Sequence, residues 1–175
     1  MKCMMKFGLC LSLLSLGRGC GGDEDEGPDS DDLLLNEEGC FHMKKAEDAL
    51  MVEAGLEFED AVDVTAEHRR VDIKLAAPEA GSEIRSGYVR YDAAESGDYI
   101  IYSSSAAPLS LFSSQEMAIV FKEQNEPVAA CTEVALRHEA EFQAGASYVI
   151  YIGPTDVETV SFVIEHEEGH DHDDD

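Results

Sequence analysis

The sequence predicts a mostly β protein: an antiparallel, jelly-roll-like β-sandwich of 7–9 strands, with a disordered N-terminal tether and C-terminal tail. Two observations carry that expectation. Beyond residue 60, apolar residues recur at alternate positions in short segments, which is the period of a strand with one buried face. Gly, Pro and Ser separate those segments at regular intervals, as in sandwiches and barrels.

The chain starts with MKCMMKFGLCLSLLSLGRGC. Lys2 and Lys6 precede an apolar run from Phe7 to Leu16, about ten residues, the length of a signal-peptide core and half of what a spanning helix needs. Residues 1–19 are therefore expected to be an export signal. The small residues Gly17 and Gly19 before Cys20 resemble the bacterial lipobox, in which the cysteine is lipidated after cleavage. Ordinary secretory cleavage near Gly22 is the alternative. Acylation at Cys20 would anchor the protein to a membrane, in the outer membrane facing the periplasm or at the cell surface.

Residues 20–36 read as the lipidated cysteine and an acidic linker. The stretch GGDEDEGPDSDD has no apolar residue and cannot bury enough surface to fold. Residues 37–165 are assigned to one sandwich domain, long enough for its own core. Within it, a short helix over Lys44 to Glu53, or extended structure from Leu56 onward, is expected first. Val71, Ile73 and Leu75 then alternate with Arg70, Asp72 and Lys74, and GYVRYD, DYIIYSS, LSLF, MAIVFK, VALRHEAEF, SYVIYIG and TVSFVIE follow as strands. Two of the turns share one scheme. In YDAAESGDYIIY and EFQAGASYVIYIG, Gly97 and Gly145 supply positive φ, and Tyr99 and Tyr148 bury their rings while their hydroxyls reach backbone.

GYVRYDAAESGDYIIYSSSAAPLSLFSS followed by FQAGASYVIYIG is similar to the bacterial pre-peptidase C-terminal domain, a jelly-roll-like sandwich appended to secreted proteins. The resemblance covers about Gly87 to Glu165 and implies a fold. The wider pattern of CxHM, an early His, a late Arg-His and a His-rich end resembles lipoproteins of the myxobacterial type. That resemblance implies an address and no activity.

The chain carries 12 basic and 38 acidic residues, a formal net charge of −26. Such a surface repels nucleic acid and attracts cations. Cys3 and Cys10 leave with the signal and Cys20 would carry lipid, so Cys40 and Cys131 are expected to form a disulfide, worth roughly 4 kcal/mol across a loop of about ninety residues. Two thiolate metal ligands are the competing reading of that pair.

Histidine is the main chemical resource. His166, His170 and His172 lie with Asp171 in HEEGHDHDDD, so residues 166–175 read as a tail. It is either a ligand set for Zn or Cu or a plain solvating tail. His166 to His170 matches HExxH in form, but Gly169 and the aspartates oppose the helix that a zinc peptidase requires. On strand parity, His68 should point to solvent or to the sheet's polar face, and His138 should point inward or lie near a sheet end. A Cys40–Cys131 bond would draw His42 and His138 together, giving a second candidate metal site of His42, His68 and His138. No GxSxG elbow, phosphate-binding GxxxxGK[ST] or GxGxxG occurs, and no enzyme is expected. The first functional expectation is an envelope lipoprotein that binds divalent metal through its tail. The alternative is an interaction module that displays the sandwich to a protein or glycan partner in the cell envelope.

Overall fold

Alternation in the sequence becomes two facing sheets. The computed structural model describes residues 30–167 apart from 67, 78, 80 and 130. A helix, α1 (Ser30–Lys44), leads into β1 (Leu50–Glu53), β2 (Val62–Asp63), β3 (Val71–Lys74), β4 (Arg85–Asp92), β5 (Gly97–Ser103), β6 (Leu109–Ser113), β7 (Ala118–Ile119), β8 (Glu123–Glu126), β9 (Leu136–Phe142), β10 (Ser147–Thr155) and β11 (Thr159–Glu167). Sheet A has the order β1-β3-β11-β5-β9-β8, and sheet B the order β2-β4-β10-β6-β7.

The inner faces share one core. Val160, Phe162 and Ile164 of β11 and Tyr99 and Ile101 of β5 meet Val89 and Tyr91 of β4 and Ile150 and Ile152 of β10. The two predicted turns form as expected. Gly97 and Gly145 have φ of 154° and 73°. The Tyr99 hydroxyl donates to the Glu95 carbonyl, and the Tyr148 hydroxyl accepts the Gln143 N–H at 2.8 Å.

Sheet A differs from sheet B in that both its faces are covered. Ile100, Tyr102 and Val163, on the outer face, pack with Cys40 and Met43 of α1 and with Val128, Cys131 and Val134. That explains why TVSFVIE reads as a nearly continuous apolar run rather than an alternating one. Along α1, Leu35, Gly39 and Met43 follow one another at four-residue spacing and so share a face. Gly39 permits the closest approach: a Cβ there would sit 2.3 Å from the Tyr102 ring. The Tyr102 hydroxyl donates to Asn36 Oδ1, and the Cys40–Cys131 disulfide, with a Cα–Cα distance of 5.8 Å, clamps the helix to the 128–134 segment.

Three expectations change. The sheets are mixed rather than antiparallel, since β1 pairs with β3 and β2 with β4 in parallel. There are 11 strands among the described residues instead of 7–9, because the short edge strands β1, β2 and β8 extend the sheets beyond the expected apolar segments. The first helix occupies Ser30–Lys44, taking in the end of the expected linker, and Leu50–Glu53 is a strand. The burial of Leu35, Cys40 and Met43 against sheet A outweighs the polar character of the surrounding sequence. Residues 1–29, including Cys20, and residues 168–175, including His170, Asp171 and His172, lie outside the described residues.

Candidate functional site

Two regions of the surface have the residues for binding, and they lie on opposite sides of the sandwich. The first is built where α1 crosses sheet A. Glu38 and His42 are one helical turn apart on α1, with His42 Nε2 3.9 Å from Glu38 Oε1. His68 enters from the segment between β2 and β3, in a left-handed turn with φ 53°. Histidine is among the residues that tolerate that region. Its Nδ1 lies 3.6 Å from Glu38 Oε1 and its ring centroid 5.9 Å from that of His42. Beneath it, Glu165 projects from the outer face of β11, is 1% exposed, and makes a close polar contact with His68 Nδ1.

A cavity of about 310 Å³ opens beside this cluster, lined by His42, Lys45, Asp48, His68, Arg69 and Arg70. Its cations are held in place. Arg69 Nε donates to the Asp48 carbonyl, Arg70 Nη1 to the Met43 carbonyl, and Arg70 Nε to Asp72, each at 2.7 to 2.8 Å. Lys45 Nζ lies 3.9 Å from the centroid of Phe41. Burial, with Lys45 nearby, holds the His42 pKa below the ordinary histidine value, against the pull of Glu38.

The structure regroups the expected histidines. His138 is fully buried and, as predicted, points inward. That orientation separates it from His42 and His68. His138 pairs in register with Ile101, whose side chain faces the inter-sheet core, whereas His68 contacts Glu165 on the outer face. The structure therefore does not bring the three histidines together; it groups His42 and His68 with Glu38 and leaves His138 apart. His138 instead packs against Phe121, with ring centroids 5.3 Å apart, and burial pushes its pKa down to about 4. Neither of its ring nitrogens has a hydrogen-bond partner among the described residues.

His166 also changes place. It belongs to β11 and not to a tail, paired in register with Tyr99 and stacked on that ring at 4.7 Å. A strand carries His166 and Glu167, so the formal HExxH does not begin on a helix. Cys40 and Cys131 are oxidised to a disulfide, which removes them as thiolate ligands.

The second region is the outer face of sheet B. Parity places Tyr88 of β4, Phe112 of β6 and Tyr151 of β10 on it, opposite the buried Val89, Leu111 and Ile150. Tyr88 and Tyr151 are cross-strand partners with ring centroids 4.8 Å apart. Phe58, from a 3-10 turn at Phe58–Asp60, reaches 6.2 Å from both Tyr88 and Phe112 and so bridges the face over β10. These four rings are half-buried. Leu56 near one edge and Met117 and Val120 flanking β7 at the other are exposed, Val120 to 89%. The sequence held the alternating tyrosines, but Phe58 lies in no strand pattern and only the fold brings it there.

No protein-family model matches the chain, and no curated protein matches it. Among solved structures, the crystal structure of PliG from Aeromonas hydrophila, a periplasmic lysozyme inhibitor of g-type lysozyme, aligns with 66% of this chain and 98% of its own, at 14% identity and a TM-score of 0.32. A likeness that distant transfers no partner and no site.

Proposed function

We propose that this protein is an exported, non-catalytic module of the cell envelope that docks a protein partner on the outer face of sheet B. One observation carries the reading: α1 covers sheet A on its outer side, while Phe58, Tyr88, Phe112 and Tyr151 stand half-buried on the corresponding face of sheet B. Aromatic side chains on an open face are the usual anchors of a protein interface, because they carry large apolar area at low conformational cost.

The edges argue for a face rather than an added strand. β2 and β7 are two residues each, and β8 is the fully exposed, acidic EQNE. Short and charged edges discourage strand addition. A net charge of −26 favours a partner with a basic surface, which would be steered in at low salt. The export signal and lipobox-like Cys20 supply the envelope address, and a disulfide at Cys40 and Cys131 accords with an oxidising compartment. The resemblance of residues 87–165 to the pre-peptidase C-terminal domain supports a displayed module of the same general kind.

The test uses immobilised full-length protein and envelope extract. A protein retained by the wild type, released as salt rises, and lost from a Tyr88→Ser/Tyr151→Ser variant of unchanged circular dichroism supports the reading. Retention that the variant does not alter, or binding of glycans alone, would overturn it.

A further inference from the structure

We propose that Glu38, His42 and His68 form a binding site for a divalent transition metal of the zinc class, with Glu165 as the residue that positions His68. This site is independent of the partner face on sheet B, which lies on the other side of the sandwich.

The donor set fits such an ion. One atom from each of the three side chains can be chosen so that all lie within 4.8 Å of one another, close enough for small side-chain rotations to bring them around one ion. Two imidazoles and one carboxylate suit zinc or copper better than calcium or magnesium, which prefer oxygen alone. Ligands on α1 four residues apart share a face, and Cys40 between them is bonded to Cys131, which fixes that turn of helix before any ion arrives. A site assembled in advance avoids the ordering cost that ligands without a fixed arrangement would meet.

Glu165 is the independent observation. A carboxylate that is 1% exposed costs several kcal/mol to bury unless a partner meets it, and it holds His68 Nδ1. With Nδ1 on Glu165, Nε2 is the nitrogen left to take an ion once the side chains rotate toward one another, the carboxylate–histidine arrangement that accompanies metal-bound histidines. Three protein ligands leave a fourth position, and the cavity bounded by His42, His68, Lys45 and Arg69 gives it room for water or an anionic group. Among the described residues two other clusters of this kind occur: Cys40, Cys131 and Glu133 is closed by the disulfide, and Asp98, Glu139 and Glu167 is purely acidic and has Lys122 among its carboxylates. Neither is assigned an ion.

The experiment is zinc titration of the full chain against a competing chelating dye, in a His170→Asn/His172→Asn background that removes those two histidines as competing ligands. One equivalent of zinc is expected. His68→Asn should weaken binding at least about 100-fold, and because Asn tolerates left-handed backbone it should leave the fold intact. Glu165→Gln should weaken it about 10- to 100-fold, while His138→Leu should leave it unchanged. Cobalt substitution should give the visible absorption of a four-coordinate N/O site, absent in His68→Asn. Zinc affinity equal in wild type and His68→Asn, or the absence of stoichiometric binding in the wild type, would overturn the assignment.

Discussion

His138 offers a sharp test of how the core is built. Its imidazole is fully buried between the sheets against Phe121, and neither nitrogen finds a partner among the described residues. Burial disfavours the charged ring and lowers its pKa to about 4, from about 6.5 in an unfolded chain. The sign follows from proton counts. Above pH 6.5 both states are neutral at this site, and between 6.5 and 4 the unfolded chain takes up a proton that the folded protein refuses. Stability is thus present above the unfolded pKa and is lost as pH falls toward the folded one. Each tenfold difference in proton affinity is about 1.4 kcal/mol, so the loss attributable to His138 reaches about 2.5 kcal/mol at pH 4.5. Replacement by Leu, of similar volume, removes both the titration and the unsatisfied nitrogens. Urea unfolding of wild type and His138→Leu at pH 7.5 and 4.5 isolates the effect, because the many carboxylates contribute equally to both proteins. The variant should be at least as stable at pH 7.5, and its advantage should grow by about 2.5 kcal/mol at pH 4.5. An advantage that does not change with pH, or a variant about 2 kcal/mol weaker at pH 7.5, would refute the reasoning by showing that the ring is hydrogen-bonded or solvated.

Other perturbations test the helix and the turns. Cys40→Ser/Cys131→Ser, which opens a link with a sequence separation of 91, should cost about 4.5 kcal/mol in chemical denaturation and expose Met43 and Tyr102 to hydrogen exchange in their vicinity. Gly39→Ala should reverse the usual helix rule: Ala normally gains about 1 kcal/mol over Gly in a helix, yet here its Cβ would lie 2.3 Å from the Tyr102 ring, so thermal melting should show a loss. A gain would mean that α1 does not sit that close. Tyr148→Phe removes the acceptor of the Gln143 N–H and should cost about 1 to 2 kcal/mol by denaturant titration, with no change in oligomeric state.

Much of the sandwich is legible in local pattern. Val71, Ile73 and Leu75 alternate and are buried as a strand face requires, and the paired turns with Gly97 and Tyr99 and with Gly145 and Tyr148 form as their residues suggest. The inward orientation of His138 follows from its parity with Ala140 and Phe142. What the sequence hides depends on distant packing. α1 lacks a clear amphipathic stripe, with Leu33 and Leu34 exposed beside Leu35, so its position is set by sheet A and the disulfide. The parallel edge strands β1 and β2 are too short to announce a direction. His42 and His68 meet only because the segment after β2 turns back over β11, and Glu165, an acidic residue inside an apolar strand, is the sole local hint of that cluster. The aromatic face needs Phe58 from outside the sheet, which periodicity alone does not recruit.

Site-specific photocrosslinking in cells measures the partner face most directly. A photoreactive residue in place of Ser110, exposed on the outer face of sheet B and paired with Tyr151, should yield one discrete protein adduct. The same residue in place of Glu126, on the exposed edge strand β8 of sheet A, should not, and Tyr88→Ser/Tyr151→Ser should abolish the Ser110 adduct. Equal adducts from both positions, or none from Ser110, would contradict the assignment of that face to a protein partner.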